Sequence, residues 1–119
     1  MSMPSVTRLI GFLLIALGLV AYVATGAASI TALIPAIVGA VFLLLALAAR
    51  SAAARRHAMH AAVALALVLI VGLAPRVVRA IGAGEIGRPA VLAQIAMLGL
   101  LLVHLVLGVK SFVDARRAR

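Results

Sequence analysis

The chain has 119 residues, 67% of them hydrophobic and only 11% charged. A soluble domain this small has too much surface for its volume to hide that apolar content, so the composition calls for lipid as the solvent. The formal charge of +9 comes from eleven Lys and Arg against Glu85 and Asp114. In a soluble protein that excess suggests nucleic acid, but here the basic residues flank apolar runs and no aromatic residues alternate with them to stack on bases. The expected partner is therefore the anionic head groups of a bilayer, not nucleic acid.

Taken in order, the chain predicts an all-α bundle of four membrane-spanning helices. The first span covers residues 9–25, behind a short polar start and Arg8. Gly26-Ala27-Ala28 after it imitates a signal-peptidase site, yet the segment reads as a retained span. Gly11, Gly18 and Tyr22 follow at spacings of seven and four, which stacks them on one helical face. A small-residue face in lipid points to close helix packing, with a substrate groove as the alternative. Thr25 to Ser29 is an uncharged turn, and Ser29 or Thr31 is placed to cap the second span, residues 30–49. That span holds Pro35 and Gly39, carries no ionisable group and ends at Arg50. So short a turn makes the first two spans antiparallel neighbours.

The stretch Arg50-Ser51-Ala52-Ala53-Ala54-Arg55-Arg56-His57-Ala58-Met59-His60 separates two apolar hairpins. Beyond it, the run from Ala61 to Ala74 is shorter than the roughly 20 residues a crossing needs. The third span is therefore expected over residues 58–81, kinked or broken near Pro75. A glycine-rich loop through Glu85 follows, and Arg88-Pro89 opens the fourth span, residues 89–110, with proline at a permitted early position. Residues 110–119 form a basic tail.

Orientation follows from the charges. Arg8, Arg50, Arg55, Arg56, Lys110, Arg116, Arg117 and Arg119 fall on one side of a four-span chain, and Arg76, Arg79 and Arg88 on the other. The positive-inside rule then puts both termini in the cytoplasm.

Few residues are equipped for chemistry. His57 and His60 share a helical face, and His60 and His104 lie about 6 and 9 Å from the same boundary. If the last two helices are neighbours, these two imidazoles could meet and ligate haem or a metal. The plainer alternative makes His57 and His60 interfacial and has His104 hydrogen-bonding across helices. Arg76, Arg79 and Arg88 could bind an anion or lipid head group through their guanidinium forks, or serve as interfacial anchors with one local ion pair to Glu85. Gln94 and His104 are the clearest polar groups inside a span but stand about 15 Å apart along the axis.

No cofactor is expected. With no cysteine there is no thiol nucleophile or thiolate site. Neither acid is placed to orient a histidine, and no phosphate loop or His-Glu zinc motif occurs, so the chain reads as a non-enzyme. Its size and span count match small multidrug exporters and fluoride channels. The first-span glutamate of the exporters and the polar asparagine and aromatic pore residues of the channels have no counterpart.

Two resemblances bear on function. Gly18 through Tyr22, Gly26 to Ser29, Thr31 and Leu33 form a glycine–tyrosine–glycine–hydroxyl pattern across a tight hairpin, which resembles the transmembrane-fourteen family of organelle membrane proteins. That resemblance implies movement of fatty acids or porphyrin precursors. Arg55-Arg56-His57-Ala58-Met59-His60 is similar to a stretch of uncharacterised four-span bacterial inner-membrane proteins. The leading expectation is an oligomerising or accessory membrane subunit, as a homo-oligomer or within a larger complex. A carrier of an apolar or amphiphilic anion is the alternative.

Overall fold

The computed structural model describes residues 2–26 and 33–117. They form four helices: α1 (Met3–Ala24), α2 (Ile34–Ala48), α3 (Ala52–Gly82) and α4 (Pro89–Arg117). Three of them, α1, α3 and α4, are long and apolar enough to cross a membrane. The fourth, α2, has 15 residues, about 22 Å of helix, against a hydrocarbon core about 30 Å thick. The proposed caps Ser29 and Thr31 lie outside the described residues, as do Ala118 and Arg119 of the tail.

Helix boundaries follow local chemistry more than the apolar runs. α1 begins six residues before the expected Leu9, because Ser2 accepts a hydrogen bond from the Ser5 amide and Pro4 occupies the first turn, where its missing N–H costs nothing. α3 begins at Ala52, not Ala58. Ser51 caps it by accepting from the Ala54 amide at 3.1 Å, and the basic residues that follow are ordinary helix formers. α3 then runs unbroken through Pro75. It ends in a Schellman motif: Gly84 at φ +75° lets the amides of Gly84 and Glu85 reach back to the carbonyls of Ile81 and Ala80. The basic tail continues α4, which runs through Lys110 to Arg117.

Each helix packs on two neighbours, α1 against α2 and α4, and α3 against α2 and α4, with only a small contact across the α1–α3 diagonal. The closest pairing is α1 with α2. Glycine permits it: a methyl group at Gly11 would sit 2.9 Å from the Gly39 carbonyl oxygen, and one at Gly39 would sit 2.8 Å from the Ile15 amide nitrogen. A methyl at Gly18 would collide with the backbone and Cβ of Ala36. Lipid supplies no hydrophobic drive between helices, so this closeness converts directly into dispersion contact. Gly108 plays the same part between α4 and α3, where a Cβ would strike Val63.

Gly18→Leu is expected to cost about 3 kcal/mol, because the two backbones must separate. Gly72, with nothing within 4 Å of its Cβ position, should accept leucine within about 0.5 kcal/mol. Reversible unfolding in mixed micelles or bicelles measures both; equal losses at the two positions contradict the packing described.

Candidate functional site

Among the described residues the enclosed polar groups converge at one point. Thr7 of α1 and His104 of α4 are both fully buried, and the Thr7 hydroxyl oxygen lies 2.9 Å from His104 Nε2. The same hydroxyl lies 3.3 Å from the sulfur of Met59 on α3. Phe42 of α2, also fully buried, packs against the imidazole with ring centroids 4.7 Å apart and planes tilted by 41°. Every helix thus contributes one side chain to a single node.

The Thr7 hydroxyl has one proton, so it either donates to Met59 and accepts from a protonated Nε2, or donates to a bare Nε2. In both tautomers Nδ1 is buried without a hydrogen-bond partner. The threonine–histidine bond is the kind of interhelical contact that polar residues make in lipid.

His60 is not part of this node. It is exposed, and its ring stacks on Phe112 of α4, centroids 4.7 Å apart and planes 22° from parallel. His60 and His104 therefore have separate neighbours, one at the rim and one inside, and His57 is exposed. Among the described residues no three histidine or carboxylate side chains come together.

The arginines of the other end do not converge either. Arg76, Arg79 and Arg88 are all exposed. Arg79 donates through Nε to the Pro75 carbonyl at 3.4 Å. Arg88 pairs with Glu85 at 3.5 Å, with the side chains 68% and 42% exposed, so solvent screening leaves that pair little energy. Gly11, Gly18 and Gly39 all lie in the α1–α2 contact. Tyr22 sits beside Ala21 and Ala93, where α1 meets α4.

Concave surface occurs at two places among the described residues that bear on function. A cleft of about 650 Å³ opens at the basic end of the bundle, with His60 and Phe112 in its wall. An apolar groove of about 580 Å³ runs between α1 and α4.

Thr7 falls in what the sequence presents as a short polar start, and neither Met59 nor Phe42 stands out in the apolar runs. A signal for Thr7 existed: Met3, Thr7, Ile10, Leu14, Leu17 and Ala21 step by four and three, one stripe along α1.

Comparison with family models, curated proteins and solved structures finds no match.

Removing the hydroxyl with Thr7→Val strands Nε2 and should cost about 1–2 kcal/mol. Replacing both partners, Thr7→Val with His104→Leu, should cost less than the sum of the single changes, because no polar group is then left unpaired. Additive losses in unfolding measurements would mean that the two side chains do not interact.

Proposed function

We propose that this chain is a small polytopic membrane subunit that works through helix contacts and not through catalysis, as a homo-oligomer or as an accessory member of a larger complex. One observation carries the reading. The groove between α1 and α4 is lined by Ala16, Ala96 and Gly99 together with larger apolar residues, and nothing lies within 4 Å of a Cβ built at Gly99. Small residues on an open helical face let a further helix approach closely, which is the main source of association in lipid. The glycines of α1 and α2 are already used inside the protomer, so association falls to this other face.

The orientation belongs to the same proposal: four crossings, a bacterial cytoplasmic membrane, and the basic end of the bundle in the cytoplasm. What supports it is the grouping of Met3, Arg55, Arg56 and Arg116 around one cleft, a basic cluster of the kind the positive-inside rule assigns to the cytoplasm.

A second reading, a carrier for an apolar or amphiphilic anion such as a fatty acid, is favoured by that same cleft. It joins arginines to an apolar floor. Arg76, Arg79 and Arg88, exposed and apart, add little to it.

Filling the groove with Ala96→Leu and Gly99→Leu should weaken self-association about tenfold or more while leaving unfolding of the protomer unchanged. Energy transfer between labelled copies in liposomes reads the first and thermal unfolding the second. Unaltered association would remove the support for this surface. Topology has its own check, and the cysteine-free sequence makes it clean. Ser2→Cys and Arg117→Cys should react with an impermeant thiol reagent from one side of the membrane, and Glu85→Cys from the other. Labelling of Ser2→Cys and Arg117→Cys from opposite sides would refute the arrangement.

A further inference from the structure

The cleft at the basic end is built from three helices and two kinds of surface. Its rim carries Arg55 and Arg56 of α3 and Arg116 of α4, with Ser111 between the helices. Its floor is apolar: Met3 and Met59, both buried, and the half-buried Phe112, held in place by its stack on His60. None of the described residues lining it is acidic. The one ion pair among the described residues is Arg88 with Glu85 at the far end, so none of the three rim guanidiniums pairs with a described carboxylate.

A fourth positive contribution comes from the backbone. Ala52, the first residue of α3, lines the cleft. The Ser51 cap satisfies the Ala54 amide, and Arg55 bonds the Ser51 carbonyl. The amides of Ala52 and Ala53 remain at the positive end of a 31-residue helix.

We propose that this cleft holds the phosphate of an anionic phospholipid, with the first carbons of its acyl chains on the methionine and phenylalanine floor. Guanidinium forks and helix-start amides match phosphate oxygens in charge and geometry. The floor selects a lipid over a free ion, because inorganic phosphate gains nothing from Met3, Met59 and Phe112. Position agrees as well: the cleft lies where the apolar spans give way to basic ends, the level at which head-group phosphates sit. The assignment does not depend on self-association.

Two methionines in the cleft report on occupancy. With methyl-¹³C methionine, the protein in phosphatidylcholine nanodiscs is titrated with phosphatidylglycerol. The Met3 and Met59 methyl signals should shift and saturate, and the Met97 signal, from a buried residue that does not line the cleft, should not. Arg55→Ala with Arg116→Ala should weaken the apparent affinity roughly 30-fold, the contribution of two juxtamembrane arginines. Arg76→Ala with Arg79→Ala removes the same charge elsewhere and should leave affinity within about twofold. The proposal is overturned by shifts that do not saturate, by an equal response to inorganic phosphate without anionic lipid, or by equal losses in the two double variants. The last outcome would mean attraction to the overall charge of the protein and no built site.

Discussion

A threonine hydroxyl and a histidine ring nitrogen 2.9 Å apart, with all around them apolar, constrain this bundle more than any other pair of groups. In water, helices register against one another by burying their apolar faces. In lipid that information is lost, because every face of these helices is at home in hydrocarbon. A hydroxyl or imidazole without a partner is not, and turning a helix by one residue, about 100°, would present Thr7 or His104 to acyl chains. Met59 and Phe42 complete the node from the other two helices, so one polar contact ties down the rotation of α1 and α4 and touches α2 and α3.

Close packing is arranged around that node by glycine. On the α1–α2 side Gly11, Gly18 and Gly39 bring backbone against backbone, and on the α3–α4 side Gly108 admits Val63. The remaining length of α3 is held less tightly: from Leu67 to Gly82 Val77 alone is buried, with Leu69, Ile70, Leu73, Ala74 and Ala80 partly so. Pro75 falls within that stretch. Its missing amide deprives the Val71 carbonyl of its helical donor, and the helix continues because the turns on either side are complete. The better-buried half of α3 is thus the one at the basic end, and the more exposed half carries Arg76 and Arg79.

Much of this was readable in the residues. Apolar runs bounded by arginine give the all-helical fold and the number of helices. The spacing of Gly11, Gly18 and Tyr22 points to one face of α1, but Gly11 and Gly18 lie against α2 and Tyr22 beside α4. The sequence was less informative about helix ends, since a helix in contact with the head-group region can be continued by polar or basic residues with good propensity, as at Ala52–His57 and Lys110–Arg117. It was least informative about which polar residue faces inward. Hydrophobic periodicity disappears when nearly every residue is apolar, so Thr7 beside Arg8 looked like leader. His104 drew attention, but its partner could not be named without the arrangement of helices. Proximity in depth suggested His60; the helix faces put His60 on Phe112 at the rim.

The node and the cleft share Met59, and that sharing bears on the two functional readings. Met59 receives the Thr7 hydroxyl on one side and lines the cleft on the other, while Met3 is both in the apolar core and in the cleft. An anion seated among Arg55, Arg56 and Arg116 therefore rests directly on the most tightly specified part of the bundle. A path onward beneath Met59 would part Thr7 from His104 and displace Phe42, stranding two polar groups in hydrocarbon at the moment a charge enters it. A bound head group that stays at the rim meets no such barrier. The same arginines and methionines that make a carrier conceivable thus fit a head group held at the rim better than one in transit.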